Sequence, residues 1–221
     1  MPATPKHRAP IINAAVTLFR RQGYAGTGLN DLVDASGAPK GSLYYYFPKG
    51  KASIATAAIE EAGLRVARTV TDLAEETGST AELLRAHARL LAGWMKASRF
   101  RDGCPITTVL LEMAPGDRAV TEAGRTAYAA RTAILTDKLV SDGFSRTAAA
   151  RLAVLCVSAL QGALIQARVD QSGRPLELAA DPIRAAARTQ HRFRFELEPR
   201  PQVLGPRSPV SPERRQGDGP R

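Results

Sequence analysis

Apolar residues recur every three to four positions along this chain, the repeat of a buried helix face, and the strict alternation of a half-buried strand is missing. The pattern predicts an all-α fold. Ile12, Ala15 and Phe19, flanked by Ile11 and Leu18, mark a first helix over residues 6–22, and Gly23 stands where a chain leaving a helix turns left-handed. Thr27 occupies an N-cap position two residues ahead of Leu29, Leu32 and Val33, so a second helix is expected over 29–35. Ser36-Gly37-Ala38 closes it, and Pro39 opens a third short helix over 39–46. A long fourth helix over 51–77 ends at Gly78-Ser79-Thr80.

The remainder keeps the same repeat. Leu84, His87, Leu91 and Trp94 share one face of a fifth helix over 80–98. Gly103-Cys104-Pro105 starts a short segment over 106–113, and Pro115-Gly116-Asp117 breaks the chain and caps a helix over 118–140. A very apolar helix follows over 145–169, with Ser145 as its cap. Ser172-Gly173-Arg174-Pro175 reads as a turn, and a last helix is expected over 182–191. Six prolines follow Glu198, interspersed with Arg and Gly, which predicts a tail without fixed structure over 196–221. No stretch is expected to reach the roughly 18 uninterrupted apolar residues of a spanning helix. The basic, polar first ten residues lack the apolar core of a secretory signal. A cytoplasmic protein with no membrane partner is therefore expected, and Cys104 and Cys156 read as packing thiols rather than a disulfide framework.

Charge changes this picture by its distribution. The formal net charge is +10, and residues 1–50 hold six Lys and Arg against two Asp, whereas residues 51–190 hold 18 against 15. A basic N-terminal segment points to a polyanionic partner, nucleic acid first among them. The nearly balanced middle suits a body that binds a ligand or a protein. An enzyme is not supported: there is no Gly-rich phosphate loop and no paired Ser/His/Asp or Cys/His set on a plausible pocket, and no cofactor is called for. Three histidines, two of them near the termini, give no metal site at recognised spacing.

Two short helices joined by a tight glycine turn form a helix-turn-helix, with Leu32, Val33 and Leu43 fixing the angle between them. Lys40, Ser42, Tyr45 and Tyr46 are then left to face outward, and Tyr44 is open to a packing role as well as a DNA contact. A helix of this size fits the major groove of double-stranded DNA. Lys40 can donate to a guanine edge or to phosphate, and tyrosine hydroxyls reach phosphates.

The run from Thr27 through Asn30-Asp31-Leu32, Ala35-Ser36-Gly37-Ala38-Pro39-Lys40-Gly41-Ser42-Leu43-Tyr44 to Tyr46-Phe47 resembles the signature of the TetR family of transcriptional regulators. Ala14-Ala15-Val16-Thr17-Leu18-Phe19 and Gly23-Tyr24 are similar to that family's first helix, so the resemblance spans residues 8–60. Gly37 to Tyr44 and Gly103-Cys104-Pro105 resemble the LmrA/YxaF-like branch, whose better-known members answer to drugs or flavonoids. The resemblance implies a helix-turn-helix DNA-binding domain over 1–50 and a helical ligand-binding and dimerisation domain over 51–195. It implies DNA contacts from Thr27, Lys40, Gly41, Ser42, Tyr44, Tyr45 and Tyr46. Where most of the family has F-x-x-K, this chain has Phe47-Pro48-Lys49-Gly50-Lys51, so either Lys49 or Lys51 takes the phosphate contact.

Two-fold pairing lets two recognition helices reach successive major grooves about one turn (~34 Å) or a multiple apart, on a palindromic operator. A homodimer is expected through the apolar helix over 145–169, by Leu152, Leu155, Ala159, Gly162 and Ala163, together with the last helix. A repressor released by a small, mostly apolar effector is the expected function. Trp94, Phe100, Cys104, Met113, Tyr128 and Gln161 are the candidate pocket residues, and Glu112 reads first as part of a solvated helix face and second as a partner for a cationic ligand.

Overall fold

The computed structural model describes residues 6–181. They form nine helices and no strand: α1 (Arg8–Gln22), α2 (Leu29–Ser36), α3 (Lys40–Tyr46), α4 (Lys51–Glu76), α5 (Thr80–Ala97), α6 (Pro105–Met113), α7 (Arg118–Ser141), α8 (Arg146–Asp170) and α9 (Arg174–Ala180). Helix α9 falls where a turn is expected from sequence. Pro175 reads as a breaker there, but proline is tolerated in a first turn, where the N–H it lacks has no intrahelical partner. Leu176 is then fully buried and docks the helix. The helix expected over 182–191 and the tail over 196–221 lie outside the described residues.

Several helix starts follow from side-chain caps. Ser79 accepts from Glu82 N, Asp117 from Val120 N and Ser145 from Ala148 N. At α2 the expectation fails. Gly28, not Thr27, is the N-cap, and its N–H donates to the Asp31 carboxylate at 2.7 Å. Thr27 is fully buried and its hydroxyl donates to Gly23 O at 2.7 Å.

Two apolar clusters hold the chain. The first joins Ile11 and Phe19 of α1, Leu32 of α2, Leu43 of α3 and Ile54 and Ile59 of α4 to Ile106, Val109 and Val120 of α6 and α7. The short helices therefore share their core with the larger body, and this core continues past residue 50. The second joins Val70, Leu83, Leu84, Leu135, Leu139, Cys156, Leu160 and Leu176 of α4, α5, α7, α8 and α9. Fully burying each such aliphatic side chain contributes roughly 1.5–3 kcal/mol. Tyr128 touches both clusters. Burial pushes the Cys156 thiol up to about 12, so it packs as an inert hydrophobe.

Candidate DNA-reading face and interior cavity

Gly37 supplies the left-handed residue (φ 63°) that ends α2 and lets α3 leave at an angle. Buried Leu32, Ala38 and Leu43 pin that angle. Because Leu43 points inward, helical geometry sends Tyr45 outward, and it is 78% exposed. Lys40 and Gly41 are exposed and Ser42 is partly so. The tyrosines differ from expectation. Tyr44 is 48% exposed, whereas Tyr46, three residues after Leu43, leans onto the first core and meets the Tyr45 ring edge-on at 5.0 Å between centroids. Thr27 leaves the surface altogether.

The two lysines after α3 separate cleanly. Lys49 is exposed. Lys51 donates to Tyr24 O and Thr27 O, both at 2.9 Å, with its ammonium 4.2 Å from the Tyr24 ring centroid. Gly50, at φ 74°, absorbs the extra residue before α4. Of the six basic residues in positions 1–50, Arg20 and Arg21 serve a different site: both approach Asp102, at 2.9 and 3.0 Å.

Asp102 belongs to the segment that joins α5 to α6, and this segment grips the end of α1. Gly103 N donates to Arg20 O at 2.7 Å, and Thr108 Oγ1 to Phe19 O at 3.0 Å. The first bond satisfies the Arg20 carbonyl at the helix end, and the second adds to the one that Phe19 O already accepts from Gly23 N. Glu112 accepts from Tyr24 N and Ala25 N at 2.8 and 2.6 Å. Its carboxylate thus holds the α1–α2 turn, and it is not placed to meet a cationic ligand. Gly23, at φ 78°, passes directly under it, where a Cβ would collide with its oxygen. Arg99 and Phe100, both with positive φ (54° and 59°), bend the chain out of α5 into this segment.

The same segment walls a cavity of about 730 Å³ between α1, α4, α5, α7 and α8. Val66, Leu91, Met95, Leu160 and Leu164 make much of it apolar, and Trp94, 51% exposed, stands at its rim. Cys104 and Gln161 also line it. Phe100, Met113 and Tyr128 do not. Phe100 packs against the second core, Met113 against the first, and Tyr128 contacts the lining from behind through Thr107 and Arg131. His87 and Arg131, both buried, face the cavity. Burial first, and Arg131 second, hold the His87 pKa at about 4, so the ring is neutral at pH 7.

On α8, Leu155 is exposed, Ala159 and Gly162 line a groove against α9, Leu152 is half-buried against the second core, and Ala163 is buried inside it. Ala163 thus packs into the second core while it also lines the floor of the same groove. Val154, Ile165 and Val169 continue the exposed apolar stripe with Leu155, and Leu178 of α9 adds to it. By length and composition alone α8 is apolar enough to cross a membrane, although Arg151, Ser158, Gln161 and Gln166 interrupt its apolar run.

Residues 11–58 match the family described as bacterial regulatory proteins, tetR family, and residues 80–182 match the transcriptional regulator LmrA/YxaF-like C-terminal domain. The HTH-type transcriptional regulator LmrA of Bacillus subtilis is 31% identical over 169 residues, 76% of this chain and 90% of that protein. This chain belongs to the TetR family. YxaF of the same organism, also an HTH-type transcriptional regulator, is 30% identical over 176 residues, 80% of this chain and 92% of its own. Among solved structures, a TetR regulator from Legionella pneumophila superposes with a TM-score of 0.72 at 19% identity, covering 84% of this chain and 99% of its own. Regulatory protein TetR from Rhodobacter sphaeroides gives 0.70 at 22%, covering 82% and 97%. Those likenesses concern the fold. The chain is a DNA-binding transcriptional regulator and not an enzyme.

Two features escape a reading of the sequence. The clamp on α1 comes from residues 80 or more positions away and leaves no local signal. Arg131 does leave one: it interrupts the interior stripe Gly124, Tyr128, Leu135, Leu139 of α7 at helical spacing.

Proposed function

We propose that this TetR-family protein is a cytoplasmic homodimeric repressor that reads a palindromic operator in double-stranded DNA and is released by a small molecule held in the cavity. The observation that carries this reading is the clamp on α1. Asp102, Gly103 and Cys104 wall the cavity, while Asp102, Gly103, Thr108 and Glu112 hold the last turn of α1 and the turn behind it. Helix α1 shares its core with α2 and α3, so a ligand that displaces this wall moves the reading helix with it. In a dimer the two reading helices must keep one spacing to meet both half-sites. Ligand and DNA then oppose each other by one coupling free energy, typically ~1–3 kcal/mol.

Lys40, Gly41, Ser42, Tyr44 and Tyr45 are the DNA-facing residues of this reading, with Lys49 on phosphate. Residues 1–50 form the reading domain and the rest of the described chain the sensing and pairing domain. The apolar stripe of α8 with the α8–α9 groove is the pairing surface, which gives that face a protein partner rather than a lipid one. The test is a footprint of the purified protein on the DNA beside its own gene, repeated with compounds drawn from the chemistry of neighbouring genes. A two-fold symmetric footprint that vanishes together with a change in Trp94 fluorescence is expected. A single unpaired half-site, or release without any change at Trp94, refutes the reading.

A further inference from the structure

Arg131 sits in the middle of α7 at 7% exposure and lines the cavity. Its guanidinium lies 5.2 Å from the Tyr128 ring centroid. The Gln161 amide is assigned with its oxygen toward the guanidinium, the orientation in which its oxygen meets donors and its nitrogen an acceptor; Nη1 and Nη2 then donate to that oxygen at 2.9 and 3.0 Å, and the amide nitrogen donates to Thr107 Oγ1 at 3.0 Å. This orientation of Gln161 puts its carbonyl, not its NH₂, against the cation. Nε, fully enclosed, has no partner. Among the described residues Arg131 meets only neutral acceptors, and no carboxylate comes within ion-pair distance of it.

The surroundings offer no free carboxylate; the acids beside Arg131 are the Cys104 thiol and the Tyr128 hydroxyl. The cavity wall holds five arginines, Arg20, Arg21, Arg65, Arg68 and Arg131, against one carboxylate, Asp102. Both Asp102 oxygens are engaged by Arg20 and Arg21, and Arg65 is held by Glu61 and Asn13. His87 is buried on the same lining. A buried charge without a counter-ion opposes folding, because it gives up hydration and receives only dipoles in return. Such a cost is tolerated where function needs it.

We propose that the effector carries a carboxylate on an apolar body, and that Arg131 is the residue that pairs with the carboxylate. Two of the five guanidinium N–H groups serve Gln161. The N–H groups that remain on Nη1 and Nη2 are charged donors suited to a carboxylate oxygen. The body of the ligand lies along Val66, Leu91, Met95 and Leu164, with Trp94 at the opening. The inference rests on the reading of this cavity as the effector site and narrows its occupant to an amphipathic acid.

The test uses three probes with one body and three charges: cinnamate, cinnamamide and cinnamylamine. Calorimetric titration of the full-length protein at pH 7 is expected to give cinnamate an affinity at least about tenfold above the amide, with the amine weakest. Arg131→Met removes that preference, and Arg131→Lys keeps part of it. In the absence of ligand, Arg131→Met raises the melting temperature, since it removes an unpaired buried charge. Equal binding of acid and amide, preference for the amine, no saturable binding of the acid, or a lower melting temperature in Arg131→Met overturns the proposal. Operator release is measured separately with the same probes. An acid that binds with the expected preference and leaves the operator occupied sinks the release reading while the anion site stands.

Discussion

Positive charge serves two ends of this regulator in opposite physical states. On the reading face, Lys40 and Lys49 stand in solvent, where each is hydrated, mobile and screened over about a Debye length. In the cavity, Arg131 is buried against the Tyr128 ring. A solvated charge costs little to keep and attracts any phosphate, so what it selects comes from the helix that carries it. A buried charge is costly to keep and selects strongly, because the wrong partner leaves it unpaired. The same contrast separates the outer stripe of α8, apolar and uncovered among the described residues, from the α8 residues that face the second core.

The largest effect is expected on that stripe. Gly162 lies on the α8–α9 groove, and a Cβ added there meets nothing within the chain. Gly162→Glu therefore spares the subunit fold but places a carboxylate in the proposed pairing surface, at several kcal/mol of association free energy. Sedimentation should report monomer with helical content kept, and operator binding should collapse. A variant that stays dimeric moves the interface elsewhere.

The buried side is sharpened next by pH. His87 is held at about 4 against an ordinary 6.5. Its folded pKa is depressed, so between these values the unfolded chain binds the extra proton and the folded chain does not. Stability is full above pH 6.5, falls as pH drops towards 4, and changes no further from this group below that, by at most about 3 kcal/mol. Denaturant melts at pH 7 and pH 5 should show the loss, and His87→Gln should flatten it. An equal loss in the variant assigns the acid sensitivity to other groups.

On the exposed side, Lys40→Ala should weaken operator binding by about 1–3 kcal/mol if the side chain reads a base, with preference relaxed at one position per half-site. Melting temperature should not change, because the side chain is solvent-exposed. Weakening spread evenly over all DNA sequences reassigns Lys40 to phosphate.

These two sides also differ in what the sequence reveals. The helix-turn-helix is legible because its determinants are local: Gly37 at the turn, Leu32 and Leu43 one helix apart, caps within three residues. The periodicity of α8 is equally plain, yet it cannot tell Leu155 from Ala163, because a helix apolar on nearly every side does not announce which side meets its own core. The cavity is less legible still. Trp94, Cys104 and Gln161 line it, but Met113 and Phe100 are as apolar and pack elsewhere, since which neighbour a side chain meets depends on how α5 to α8 cross. Thr27 fails as a cap for a local reason: its hydroxyl finds Gly23 O, one turn back, before it can cap α2.

The smallest expected effect separates two neighbouring lysines that sequence leaves equivalent. Lys49 is exposed just ahead of α4, and its ammonium is free to meet phosphate. Lys51 starts α4 but turns back, bridging Tyr24 O and Thr27 O under the Tyr24 ring. Those carbonyls lie in the turn between α1 and α2, so Lys51 fixes how the second helix enters the motif. Lys49→Ala should lower the slope of log affinity against log salt by about 0.9 for each phosphate left unneutralised, and leave the melting temperature alone. Lys51→Met keeps the aliphatic stem but removes both charge-assisted bonds, and should cost about 1–3 kcal/mol of stability with the salt slope retained. The reverse pattern, a changed slope in Lys51→Met with unchanged melting, would mean that DNA draws Lys51 out of its carbonyl bridge. Lys51 would then be part of the reading face, and its internal bonds would belong only to the unbound protein.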